Sequence, residues 1–194
     1  MNKLVFYYGA MNAGKSLELL AFAGKLRNKS IPYIVVKPAT DTRDGAFISS
    51  RPLNEKLPCK MWAPEGEFFA KWEDLPAVKY ILVDEAQFLT KSQVDTLARL
   101  VDNDDLDLNV ICYGLRSDFQ TNLFEGSKRL FELADELHEI EDIEPNGRKI
   151  IINARISNGR VVTEGPQVEI GAEDKYLPMS RKSFFWLLSK TADK

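Results

Sequence analysis

Eight residues near the N-terminus, Gly9-Ala10-Met11-Asn12-Ala13-Gly14-Lys15-Ser16, constrain the fold more than any other stretch of the chain. They match the spacing G-x-x-x-x-G-K-[ST] and stand between the apolar run Leu4-Val5-Phe6-Tyr7-Tyr8 and the helix-forming Leu17-Glu18-Leu19-Leu20. A strand, a glycine loop and a helix in that order cradle phosphate. The glycines permit backbone angles that turn successive N–H groups inward, and the helix N-terminus adds partial positive charge. In such a site Lys15 reaches the β- and γ-phosphate oxygens of a nucleoside triphosphate, and the Ser16 hydroxyl is placed for Mg²⁺.

The apolar pattern supplies the sheet this loop needs. Over the first 137 residues, apolar runs of strand length alternate with amphipathic stretches of helix length, as in a parallel sheet with crossover helices. The pattern predicts strands at 3–8, 32–37, 80–84 and 108–113, and helices at 15–29, 92–101 and 124–137. Residues 40–64 lack a period and carry turn pairs such as Asp44-Gly45, which reads as a long loop or a short hairpin. Beyond 140, short alternating stretches at 150–156 and 161–170 are broken by Ser157-Asn158-Gly159 and Gly165-Pro166, a small antiparallel appendage. The expected fold is α/β, a P-loop NTPase-type parallel sheet flanked by helices over 1–140, followed by a small antiparallel subdomain over 141–194.

A net charge of −3 argues against a phosphate-backbone binder, which needs clustered Lys and Arg, and leaves a small phosphorylated ligand open. No apolar run approaches the roughly 20 residues of a membrane span, and the N-terminus runs straight into a strand without a signal-type h-region. A cytoplasmic protein without nucleic-acid or membrane partners is expected. Cys59 and Cys112 alone build neither a disulfide framework nor a four-ligand zinc cluster.

A second carboxylate motif follows the loop. Ile81-Leu82-Val83-Asp84-Glu85 ends a buried strand in two acids whose side chains, by strand alternation, point in different directions. Asp84 fits a Mg²⁺-supporting role and Glu85 a general base, and Gln87 is grouped with the phosphate-binding residues.

These motifs, with Lys37-Pro38-Ala39-Thr40-Asp41-Thr42-Arg43, Ile48-Ser49-Ser50-Arg51, Val83-Asp84-Glu85-Ala86-Gln87-Phe88, Gly114-Leu115-Arg116-Ser117-Asp118-Phe119, Leu123-Phe124-Glu125-Gly126-Ser127 and Gly171-Ala172-Glu173-Asp174-Lys175-Tyr176, resemble the small, zinc-containing cytosolic type of thymidine kinase. The similarity runs in order over most of residues 3–183. It implies transfer of the γ-phosphate of ATP to the 5′-hydroxyl of thymidine, a salvage step feeding DNA synthesis, with ATP as co-substrate and Mg²⁺ required. Within it Glu85 takes the hydroxyl proton, Asp84 and Ser16 serve the metal, and Arg43 of an Asp-x-Arg motif stabilises the transferring phosphoryl. Relatives form homotetramers and are inhibited by the triphosphate end product.

Thymine, a flat apolar ring with an amide-like edge, calls for aromatic walls and backbone or amide hydrogen bonds. The positions matching the family's pocket are Met11, Phe88, Leu115, Phe119, Phe124 and Tyr176, each of which taken alone reads as core. Residues 161–175 resemble the family's lasso loop, which holds the base through main-chain groups, so Val168, Glu169 and Ile170 are contacts by position, and Asn153 falls near a base-holding position. The family's zinc ligands fall here on 143–147, around Glu144, and on Ser180 and Ser183, none Cys or His, so no zinc is expected. The apolar tail from Phe184 to Leu188 is available to pack instead, and His138 is expected at an exposed helix terminus. A kinase for another deoxynucleoside, and a P-loop regulatory module with weak ATPase, stand as alternatives.

Overall fold

The computed structural model describes residues 2–50, 55–64, 77–167 and 175–192. Strand β1 (Leu4–Gly9) passes through the glycine loop into α1 (Lys15–Asn28) and then β2 (Tyr33–Pro38). A hairpin of β3 (Phe47–Ser50) and β4 (Glu55–Pro58) precedes β5 (Lys60–Trp62). Next come β6 (Tyr80–Val83), a 3₁₀ turn (Ala86–Phe88), α2 (Lys91–Val101), β7 (Asn109–Leu115), α3 (Glu125–Leu133) and β8 (Glu136–Ile140). Among the described residues the main sheet has six strands in the order β5-β2-β6-β7-β1-β8, with every neighbouring pair parallel.

Strand alternation divides the apolar residues between two cores. Leu4, Phe6, Ile81, Val83, Val110 and Cys112 pack with α2 and α3, while Val5, Leu82, Ile111 and Tyr113 pack with α1 and the hairpin residue Ile48. Both faces are therefore covered, as a parallel sheet requires. Helix α2 starts at a capping box in which Thr90 and Gln93 satisfy each other's backbone N–H groups.

The edges differ from the sequence expectation. The region 40–64 supplies the β3–β4 hairpin and also an edge strand, β5, whose Trp62 is buried. At the other edge the helix predicted to run to 137 stops at Leu133. Asp135 accepts a bond from the Leu4 N–H through its carboxylate and donates its own N–H to the Leu4 carbonyl, both at 2.8 Å, and so turns the chain into β8. Exposed Leu137 and the charged residues Glu136 and Glu139 line this edge, charge being one way an open strand is kept from pairing with another chain.

The C-terminal part is a three-stranded antiparallel sheet in the order β10-β9-β11, from β9 (Ile152–Ser157), β10 (Arg160–Val161) and β11 (Tyr176–Met179), followed by α4 (Arg181–Ala192). Asn158 and Gly159 make the β9–β10 turn with φ of 50° and 73°, as two-residue hairpin turns demand. Phe184 of α4, with Leu187 and Leu188, packs on Ile152, Ala154, Val161 and Met179.

Candidate active site

The carboxyl ends of β1, β2, β6 and β7 open into one cleft of ≈970 Å³. This is where open α/β sheets bind ligands. At β1 the loop backbone is left-handed at Asn12 (φ 64°) and Gly14 (φ 94°), turn conformations of the kind from which anion-binding amide concavities are built. Gly9 has a different role: a Cβ there would lie 2.6 Å from the Ile140 carbonyl oxygen, so this glycine is needed for close approach of β8 rather than for its backbone angle. Lys15 Nζ donates to the Ala10 carbonyl at 2.5 Å. Burial pulls its pKa down, against the opposing pull of Glu85 and Asp84.

Ser16 Oγ donates to Asp84 Oδ2 at 3.0 Å, joining the start of α1 to the end of β6. The Asp84 carboxyl is pushed up to about 7 by burial and by the Glu85 carboxylate beside it. A buried carboxylate in contact with a hydroxyl and next to a phosphate cradle has the oxygen-donor chemistry that suits a hard divalent cation. These residues fit Mg²⁺.

Both acids line the same cleft, contrary to strand alternation, because β6 ends at Val83 and Glu85 adopts a left-handed conformation (φ 52°). A non-glycine residue held there stores strain, and its surroundings explain how. The Glu85 N–H donates to Asp84 Oδ1 at 3.0 Å, Arg43 Nη2 meets one carboxylate oxygen at 2.9 Å, and Gln87 Nε2 donates to the other at 2.5 Å. Gln87, 1% exposed, accepts the Leu115 N–H at 2.9 Å, so both ends of the amide grouped above with the phosphate-binding residues are engaged by Glu85 and β7. The 3₁₀ turn after Glu85 is pressed against α3 so closely that a Cβ on Gly126 would lie 2.4 Å from the Ala86 carbonyl oxygen.

Arg43 also pairs with Asp41 at 2.7 Å, and Asp41 lies 3.4 Å from Lys37 Nζ, which donates to the Arg43 carbonyl at 2.5 Å. Lys37 and Asp41 are buried, so Lys37, Asp41, Arg43 and Glu85 form one alternating chain of charge along the cleft wall. Sequence reasoning had not assigned Lys37. Its signal was a lysine inside a strand otherwise buried on both faces, just ahead of Asp-x-Arg.

In the same cleft, Phe88 and Phe124 meet edge to face with centroids 5.7 Å apart, and Met11, Leu115, buried Phe119 and Tyr176 add apolar lining. Asn153 bridges the two sheets: its Oδ1 accepts the Met11 N–H at 2.7 Å and its Nδ2 donates to the Ser117 carbonyl at 3.5 Å. Of the predicted residues within the described region, Gly9 and Ala10 sit behind the cleft and the others line it; Val168, Glu169 and Ile170 lie outside the described residues. Asp118 and Gln167, unassigned from sequence, also line it and are joined at 2.8 Å.

Away from the cleft, His138 sits within β8 rather than at a helix end. Its ring stacks on Tyr7 at 4.7 Å and its Nε2 faces Glu136. At the positions of the family's zinc ligands, one Glu144 oxygen accepts the Ser180 N–H at 2.7 Å, and the other accepts from Ser183 Oγ at 3.1 Å and Asn146 Nδ2 at 2.9 Å. One carboxylate whose oxygens are occupied by N–H and O–H donors, with two hydroxyls, does not fit zinc, which prefers thiolate and imidazole.

The chain is similar to known proteins along nearly its whole length. A family model described as "Thymidine kinase" matches residues 2–184. A thymidine kinase of Streptococcus agalactiae serotype Ia is 39% identical over 187 residues, covering 95% of this chain and 98% of that one. One of Streptococcus pyogenes serotype M3 is 41% identical over 189 residues with the same coverage.

Proposed function

The chain belongs to the thymidine kinase family, and on that premise we propose that it transfers the γ-phosphoryl group of ATP to the 5′-hydroxyl of thymidine, releasing ADP and thymidine 5′-monophosphate. The observation that carries the reading is that a phosphate loop, a carboxylate paired with an arginine, and a set of aromatic side chains line one cleft.

The loop amides and Lys15 bind the β- and γ-phosphates, Lys15 exchanging the Ala10 carbonyl for phosphate oxygens. Phe88, Phe119, Phe124 and Tyr176 hold the base and direct the sugar toward the acids. Glu85 accepts the 5′-hydroxyl proton as the oxygen bonds to the γ-phosphorus and the bond to the β,γ-bridging oxygen breaks. Arg43, bridging Asp41 and Glu85, presents its guanidinium where charge develops on the transferring group. Ser16 and Asp84 would hold Mg²⁺, which neutralises phosphate charge when bound.

Membership of the family supports two further parts of this reading, a cytoplasmic site of action and a homotetramer. No helix among the described residues is long and apolar enough to cross a membrane, and exposed Leu177, Phe185 and Trp186 offer apolar surface that assembly would cover.

Glu85→Gln tests the chemistry. It keeps the shape and removes the base, so kcat should fall by about 10²–10⁴-fold with thymidine still bound. Steady-state kinetics beside calorimetric thymidine binding measure both, and an unchanged kcat would remove Glu85 from the role.

A further inference from the structure

Arg155, in β9, is a buried cation that the phosphoryl-transfer chemistry does not use. It is 4% exposed, and its guanidinium carbon lies 3.8 Å over the Phe119 ring and 5.2 Å from the Tyr176 centroid. Its Nε and Nη2 donate to Tyr176 Oη at 3.1 and 2.6 Å, and Nη2 also donates to the Pro166 carbonyl at 2.9 Å. Removing a guanidinium from water is costly, and an apolar side chain of similar volume often serves packing equally well or better. A cation at this position therefore calls for a role beyond filling space.

Its contacts identify that role. Phe119 follows β7 of the main sheet, Tyr176 opens β11, and Pro166 lies on the segment leaving β10, the last two strands each pairing with β9. One planar fork reaches all three, setting the face of one ring and the hydroxyl of the other from a single point. The same segment is tied to the β7–α3 connection by Gln120 Nε2 donating to the Thr163 carbonyl at 2.7 Å and by Gln167 Nε2 donating to Asp118 at 2.8 Å. Both rings line the same cleft as the phosphate loop.

We infer that Arg155 is a positioning residue for nucleoside recognition: stacked on Phe119 and forked onto Tyr176 and the Pro166 carbonyl, it sets the width of the base slot before substrate arrives. Charge alone is insufficient for this. Lysine lacks the planar face and the fork, so the two cations are not interchangeable here. The inference rests on the thymidine kinase reading.

Initial-rate kinetics of the full chain with Mg-ATP and thymidine test it, comparing wild type with Arg155→Met, Arg155→Lys and Tyr176→Phe. Arg155→Met should raise the thymidine KM by roughly tenfold, the equivalent of one charge-assisted hydrogen bond, with kcat at saturating thymidine and the ATP KM within about twofold of wild type. Arg155→Lys should not restore it. Tyr176→Phe, which keeps the ring and removes the acceptor, should raise the thymidine KM in the same direction, and combining it with Arg155→Met should add little. A thymidine KM unchanged in folded Arg155→Met, or an ATP KM and kcat that deteriorate in parallel with it, would overturn the inference. If Arg155→Met does not fold, Tyr176→Phe decides alone, and an unchanged thymidine KM overturns it. A wild type that phosphorylates no nucleoside removes the underlying reading as well, whereas an active wild type with indifferent variants removes only the role of Arg155.

Discussion

Glu85, the proposed base, is held by two neighbours in its own segment and by one arginine from the segment after β2. Its left-handed backbone would be unfavourable in isolation, and Arg43, Gln87 and the Asp84 carboxylate hold it. Replacing Gln87 by leucine would leave a Glu85 oxygen and the half-buried Leu115 N–H without their partner. We expect Gln87→Leu to lower kcat roughly tenfold through misplacement of the carboxylate, and to cost about 1–3 kcal/mol of stability for the orphaned amide. Steady-state kinetics beside chemical denaturation check both, and an unaltered kcat would show that Glu85 needs no such support. That Lys15, Ser16, Asp84 and Glu85 line one cleft was legible from short motifs that each follow a strand, and that Arg43 joins them followed from the family resemblance. The part played by Gln87 was not legible, since its partner Leu115 lies 28 positions away; Arg155, whose contacts reach Phe119, Pro166 and Tyr176, was hidden for the same reason.

At the scale of elements, periodicity located the strands and helices that build the site and failed at the sheet edges. Residues 124–137 keep a helical spacing of apolar residues to the end, and the paired bonds between Asp135 and Leu4, 131 positions apart, together with the parallel ladder from Val5–Glu136 to Gly9–Ile140, make the last part β8. Helix α4 raises a question of attachment instead. Its first turn is fastened by Glu144, whose carboxyl is held down at about 2, first by the Ser180 N–H and then by the side chains of Asn146, Ser183 and Ser180. A carboxyl whose pKa is lower in the folded state favours folding above its ordinary value of 4.5 and loses that contribution as pH falls toward the folded value. Wild type should therefore be more stable than Glu144→Gln at neutral pH, with the gap closing between about pH 4.5 and 2. Thermal midpoints of the two proteins across that window measure it, and a constant gap would mean that the carboxylate's charge contributes nothing.

Over the whole molecule, the two sheets are coupled at the cleft: Asn153 of the small sheet caps the Met11 N–H of the phosphate loop, and Arg155, two residues along the same strand, stacks on Phe119 of the cleft lining. That coupling was beyond the sequence, where the phosphate loop and β9 are more than 130 residues apart, although an α/β sheet with a small antiparallel unit was readable from the alternating runs. The central claim is that this combined cleft selects thymidine for phosphorylation. The most direct test is monophosphate formation by the purified chain with Mg-ATP and, in parallel, thymidine, deoxyuridine, deoxycytidine or deoxyguanosine. The account predicts product with thymidine well above that with deoxycytidine or deoxyguanosine; ATP binding without product from any of the four would contradict it.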